Sequence, residues 1–477
     1  MQRSTYPNTS HAKSAAALSH VLRARFARGR PTEQRETKRR SHLRRAIPES
    51  GESSTTHHPL INRDFALLWS GQVITDLGSV IFTTTLVIWI GAGLAAGESW
   101  APLAVSSVLV AQALPQVVLR PLAGVLVDRS DVRQTMLRMD ALRAALIGAL
   151  TLLMLMPMPP LWRLAAIDGA VLVVSASGQF FNPSLFALLS DLVPEAERAR
   201  ASGWSETTWN VATVVGPPLA APLFFGVGAQ WALVLDALSF AVSYLTLRAM
   251  RAPPRIQQPT GRTAHVLQDV QQELKEGLVF CARSPIVRAV TLSLCVAMLG
   301  AGIVHALEFF FVTENLHASP AFYGLISPAF GGGSIVGALL AGYVAPRVGV
   351  ARTFALSMLG VGLALVVLAR QTSLVPALGI YVLFGVVNSG ANVALLPLLL
   401  GATPRALSGR VNALFFTAIS AVSLASSAAA GYLDSTLLHG VQIHLLDLTF
   451  GPIDTLLTAA GACICVGGVY AWMKLPH

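Results

Sequence analysis

The chain has 477 residues, of which 53% are hydrophobic and only 12% charged, with a mean hydropathy of +0.60. Soluble domains carry roughly twice that share of charged side chains, so a single soluble core is excluded. The net charge of +10 suggests nucleic acid until it is mapped: residues 1–60 hold 12 Lys and Arg against 4 Glu, and the remainder is nearly neutral.

That first stretch carries Arg23, Arg25, Arg28, Arg30 and the run Lys38-Arg39-Arg40 among few apolar residues. It is expected to be a disordered, basic cytosolic tail drawn to anionic headgroups. An Arg- and Ser-rich, acid-poor transit peptide is a second reading, and a start codon assigned too early a third. No nucleic-acid partner is expected.

From Phe65 onward the chain is a series of apolar runs, each near the ~20 residues that cross a bilayer. Twelve are expected: 65–94, 101–127, 134–157, 161–190, 204–226, 229–250, 285–313, 322–345, 351–369, 373–400, 409–433 and 453–473. Alternate connections carry the arginines, among them Arg129, Arg133, Arg138, Arg198, Arg200, Arg347, Arg352, Arg405 and Arg410. The intervening ones offer Arg163 and Arg370 beside Glu98, Glu314, Asp434 and Asp447. Positive charge marks the cytosolic side, so both termini are expected inside a bacterial plasma (inner) membrane.

Charged and polar residues inside the runs are costly and invite a functional reading. Asp76 lies about three turns into the first run, beside Thr75, Thr83, Thr84 and Thr85. It is either a proton-coupling carboxylate or a surface-level one, if the run begins outside the hydrocarbon. On the second run, Arg120 is a candidate counter-ion or a contact for an anionic substrate. Gln112, Gln116, Asn210, Asn388 and Asn392 are candidates for a central cavity on polarity alone.

The second run ends in Gly124-Val-Leu-Val-Asp128-Arg129-Ser-Asp131-Val-Arg133. Gly124 permits close backbone approach, and Asp128 follows four residues later on the same helical face. An ordinary basic surface turn fits these residues equally well. The fifth run contains Gly216-Pro217-Pro218-Leu-Ala220-Ala221-Pro222, where a proline pair removes backbone bonds and is expected to kink the helix.

The connection 251–284 divides the runs into an amino-terminal set (61–250) and a carboxy-terminal set (285–477). Val266, Val270, Leu274 and Leu278 recur there at four-residue spacing, the pattern of an amphipathic helix lying on a surface. Beyond it, His305 and Glu308 share a helix face, either as a proton relay or as solvated groups near the outer surface with Glu314. Gly331-Gly332-Gly333-Ser334 and Gly337 suit helix packing, with no lysine following as a phosphate loop requires. Cys281, Cys295, Cys463 and Cys465 have neither disulfide nor zinc spacing, so no metal is expected.

Asn182, Pro194, Ala196 and Arg200 recur as Asn392, Pro404, Ala406 and Arg410 at a constant offset of 210. Two parallel six-helix halves are therefore expected, with a substrate site at their interface.

These residues resemble the major facilitator superfamily, and most closely its branch of macrolide and enterobactin exporters. Asn62-Arg63-Asp64-Phe65-Ala-Leu-Leu-Trp69-Ser-Gly71-Gln72 resembles that branch's opening. Residues 124–136 resemble the superfamily's loop motif, with Val127, Asp131 and Val132 as departures. Asp140-Ala-Leu-Arg143-Ala, Asp236-Ala-Leu-Ser-Phe240 and Lys275-Glu276-Gly277-Leu278 match further branch patterns, the first two as structural partners. In the second half, Gly342-Tyr-Val-Ala-Pro346-Arg347 aligns with the loop motif but lacks its Asp.

The resemblance implies that Asp128 latches onto the start of the eleventh helix near Ser408-Gly409-Arg410 while the protein faces outward. Arg129 and Arg133 would form its network, and Gly124 would allow the contact. A carboxylate at a helix N-terminus gains ~0.3–1 kcal/mol, enough to bias two conformations without freezing either. Residues 216–222 resemble an exporter-associated signature in which Ala has replaced both trailing glycines.

The expected function is secondary active, proton-coupled export of a small amphipathic molecule by a monomer that uses no cofactor. A non-transporting sensor or scaffold and an importer of the same superfamily are the alternatives. No Walker A sequence, nucleophile motif or metal cluster supports an ATP-driven pump or an enzyme.

Overall fold

The computed structural model describes residues 61–127, 130–251, 275, 277–404, 407–438, 443–445 and 448–475. The expected basic tail lies outside them, as do Asp128, Arg129, Val266, Val270 and Leu274; Leu278 is exposed.

Twelve long helices make up nearly all of this: α1 (Arg63–Trp89), α2 (Ala101–Val127), α3 (Val132–Met154), α4 (Pro160–Leu192), α5 (Arg198–Val227), α6 (Ala229–Ala249), α7 (Pro285–Phe310), α8 (Ile326–Val348), α9 (Val350–Leu368), α10 (Leu374–Ala402), α11 (Ser408–Tyr432) and α12 (Pro452–Lys474). The all-α membrane class holds. Eleven helical spans are long and apolar enough to cross a bilayer. The exception is α3, whose first half carries Arg133, Arg138, Asp140 and Arg143 and leaves too short an uncharged stretch. An element not expected is the antiparallel pair β1 (Ile443–Leu445) and β2 (Leu448–Phe450), which leads into α12.

Local signals set several boundaries. The Asn62 side chain accepts from the Phe65 N–H at 2.7 Å and caps α1, while Asp131 caps α3 through the Gln134 N–H at 2.9 Å. Gly228 and Gly349, at φ 104° and 96°, make the sharp turns between α5 and α6 and between α8 and α9. α5 starts at Arg198 rather than 204, because its first turns are helical but polar, and it runs unbroken through Pro217, Pro218 and Pro222.

The helices pack in a pattern that occurs twice. In the first half α1 lies on α5 and α6, α2 on α4, and α3 on α4 and α6. In the second, α7 lies on α11 and α12, α8 on α10, and α9 on α10 and α12. The halves then meet through α2 with α11 and α5 with α8, pairs that exchange when the halves do. Even the helix ends repeat: α1 and α7 both finish in a widened π turn, Ile90–Leu94 and Phe311–Asn315. Gly333 and Gly337 of α8 serve packing as expected, since a Cβ on either would strike the carbonyl of Val382 or Val386 on α10, whereas Gly332 has open space beside it.

Candidate transport cleft

The two halves touch at the end of the bundle away from the arginine-bearing loops. There a Cβ on Gly324, in the turn Pro320–Leu325 before α8, would collide with the Pro217 carbonyl and lie 3.1 Å from the Pro218 Cα. Gly331 of α8 meets Val214 of α5, Gly91 meets Phe309, and Gly431 of α11 meets Ser106 of α2. The Leu103 N–H donates to Ser435 Oγ at 3.1 Å. Toward the other end this packing is lost. On α5, Ser202, Gly203, Trp204, Glu206, Thr207, Trp209 and Asn210 are exposed. On α8, from Ile335 to Val348, only Gly337, Ala341 and Ala345 are buried. Among the described residues the cleft is closed at one end, and its walls are exposed toward the arginine-rich end.

The residues singled out from the sequence are spread around it. Gln112 and Gln116 are half-buried on α2, Arg120 is exposed one turn later, and Asn388 and Asn392 are half-buried and exposed on α10. Asp76 is half-buried on α1, and among the described residues it has no hydrogen bond or ion pair. Glu308 is half-buried rather than solvated: the Tyr381 hydroxyl of α10 engages its carboxylate, and the Tyr323 hydroxyl lies close enough to feel its charge. Aromatic rings wall this group, with Phe309 5.5 Å from Tyr323 and Phe330 5.4 Å from Phe384, centroid to centroid. His305 lies one turn from Glu308 and is exposed.

Arg133, expected in the network of Asp128, bonds to the end of α6, while Asp128 itself lies outside the described residues. The Arg133 Nε donates to the Leu247 carbonyl at 3.1 Å, and its Nη2 to those of Arg248 and Met250, each at 3.0 Å. These are the orphan acceptors at the end of α6, so Arg133 fastens that end to α3. The backbone of Gly124 is the last-turn backbone of α2, and α11 begins at Ser408.

The densest polar cluster lies inside the first half. Asp140 and Arg143 of α3 and Asp236 of α6 are all buried. Arg143 Nη1 is 3.6 Å from Asp140 Oδ1, and Ser243 Oγ donates to Asp140 Oδ2 at 2.6 Å. Ser79 of α1 donates to Asp236 Oδ1 at 3.1 Å. The guanidinium stacks over Phe181 and Phe240, 4.7 and 5.4 Å from the ring centroids.

Among the acidic residues the sequence reading passed over, one borders a cleft. Asp168, on α4, borders a cleft of about 470 Å³ with Leu103, Ser107, Val110 and Leu114 of α2 and Ala428 of α11. Its signal was the one that marked Asp76, a lone carboxylate within an apolar run.

A family model described as transmembrane secretion effector matches residues 54–452. The chain belongs to that family. It is a member of the major facilitator superfamily of membrane transporters, resembling the macrolide efflux branch. Macrolide efflux protein A of Streptococcus pyogenes is 23% identical over 278 residues, covering 58% of this chain and 66% of that protein. The multidrug efflux pump Tap of Mycobacterium bovis is 27% identical over 278 residues, covering 55% and 62%. These matches span just under two thirds of the relatives' own lengths. Among solved structures, a bacterial homologue of the iron transporter ferroportin in an inward-facing state has a TM-score of 0.65 at 16% identity, covering 86% of this chain and 98% of that one. A D-xylose–proton symporter has a TM-score of 0.64 at 14% identity, covering 86% and 97%. At such identities these two share the fold.

Proposed function

We propose that this transporter is a secondary active exporter, working by alternating access, that takes a small amphipathic molecule from the cytosolic side. The observation that carries the reading is the one-sided contact of two repeated halves. A cleft sealed by Gly324 on Pro217 and Leu103 on Ser435, and open at the other end, is one of the two states such a cycle needs. Placing the arginine-bearing loops in the cytosol makes it the inward-open state. Both walls of the cleft come from one chain, which suits a monomer.

Protons drive the cycle in this reading. Asp76 and the Glu308–Tyr381 pair with nearby His305 are the coupling candidates, because carboxylates inside a membrane are retained for such work. Asp128 latches the inner end when the outer end opens, with Arg129 beside it. Two relatives named for macrolide or multidrug efflux make a macrolide the first substrate to try.

The test is uptake of a labelled macrolide into inverted vesicles with and without an inward-acidic pH gradient. Gradient-driven accumulation is expected. Accumulation that ignores the gradient removes proton coupling, and transport only in the opposite direction makes the protein an importer. A scaffold would move no member of a broader amphipathic panel.

A further inference from the structure

We propose that the buried cluster Asp140–Arg143–Asp236 in the first half holds one exchangeable proton, seated on Asp236. This goes beyond the export reading, since residence of the proton is measurable with no substrate present.

The premise is a count of charge. Two carboxylates and one guanidinium share a site between α3 and α6, and Asp140, Arg143 and Asp236 are 0%, 6% and 1% exposed. With every group in its usual ionic form the cluster carries one uncompensated negative charge. A bare charge in so dry a place is far costlier than a neutral acid, and carboxylates that share a site do not both ionise readily. One bound proton balances the site.

Geometry chooses the seat. Asp140 is paired with Arg143 and accepts from Ser243, so its anion is well supported. Asp236 has no guanidinium within salt-bridge distance; one oxygen takes the Ser79 hydroxyl, and the other, Oδ2, is buried without a partner. The groups acting on Asp236 are Arg143 from α3, Ser79 from α1 and Ser239 on its own helix. Asp140 is the other carboxylate of the cluster, and Asp76 lies one turn from Ser79 on α1 with no recorded contact to Asp236.

Hydroxyls line the contact beside the cluster, most of them donating to backbone carbonyls. From Asp236 this seam follows the α1–α6 contact toward the arginine-rich end of the cleft. Ser239 comes first, then Ser243 on Asp140, then Thr246, whose hydroxyl would lie 2.5 Å from a Cβ on Gly71. Thr75 faces the same seam, 3.5 Å from the Ser239 carbonyl. Losing the proton leaves an anion that Ser79 alone meets from α1, so the proton count bears directly on the grip between α1 and α6. The step is a simple transfer: the Asp236 O–H bond breaks, the proton passes to water, and the carboxylate keeps the electron pair.

The experiment is infrared spectroscopy of the purified full-length protein in lipid, following the carboxylic C=O stretch of protonated buried acids across pH. A band at neutral pH is expected in the wild type, absent in Asp236→Asn and retained in Asp76→Asn. Asp140→Asn decides between charge count and simple burial. It makes the cluster neutral without a proton, so the band should vanish there too and return in Asp140→Asn/Arg143→Gln. The same band surviving in Asp236→Asn, apart from any component lost in Glu308→Gln, overturns the seat. One that survives Asp140→Asn overturns the charge argument, and that variant suffices if Asp236→Asn does not fold. Because no transport is measured, failure here leaves the export assay standing, and the reverse.

Discussion

Gly324 and Pro217 press backbone against backbone across the two halves, with no room for a methyl group between them. Gly324 lies in the turn before α8 and Pro217 in the middle of α5, so closure at this end depends on the absence of one side chain. Overpacking such a contact costs about 1–3 kcal/mol. Since ~1.4 kcal/mol is a tenfold change in population, Gly324→Val should tilt the protein away from the observed state. Cysteine probes near Val214 should then react several-fold faster from outside, while transport falls about tenfold. Unchanged labelling would mean this contact does not set the closed state.

Arg133 is expected to act on stability rather than on turnover. Arg133→Ala leaves three carbonyls at the end of α6 without their donor, at a cost of about 1–3 kcal/mol. The melting temperature in detergent should drop by several degrees, with transport per folded molecule near wild type. Asp128→Asn should do the opposite, slowing turnover with stability and substrate affinity kept. Reversal of these two outcomes would return Arg133 to the latch.

Glu308 and Tyr381 separate coupling from binding. Glu308→Gln mimics the protonated acid permanently, so substrate exchange down its own gradient should persist while accumulation driven by a pH gradient is lost. Tyr381→Phe removes only the hydroxyl partner and should move the pH dependence of transport without abolishing it. Should Glu308→Gln accumulate substrate as well as wild type does, Asp76→Asn becomes the variant to measure.

Arg143 is the guanidinium that faces two buried acids, Asp140 and Asp236. Arg143→Ala removes the sole guanidinium of the cluster, and breaking a buried pair typically costs about 3–5 kcal/mol. Yield of monodisperse protein should collapse, and the double variant Arg143→Ala/Asp140→Asn should recover part of it. Equal yields of the single and double variants would argue against a charge effect.

Much of this was legible in the sequence, for a physical reason. Twelve apolar runs of bilayer length have no other way to satisfy their backbones than as helices. The repeat of Asn182 and Arg200 as Asn392 and Arg410 foretold the doubled packing. The bonds of Arg133 to the end of α6 were not legible, because the loop motif gives its neighbours in the chain, whereas its acceptors at residues 247–250 adjoin it only after α3 has packed on α6. Ser79 and Asp236 are 157 positions apart, and no spacing rule joins them. The β1–β2 pair has only three residues per strand, too few to leave a pattern of alternation.

The doubled packing has a genetic corollary. The main helix contacts described run within α1–α6, within α7–α12, or across the pairs α2–α11 and α5–α8, and the connection 251–284 is where the chain passes from one half to the other. A gene cut there and expressed as two open reading frames should therefore yield fragments that find each other in the bilayer, so that either piece can be tagged, titrated or exchanged on its own.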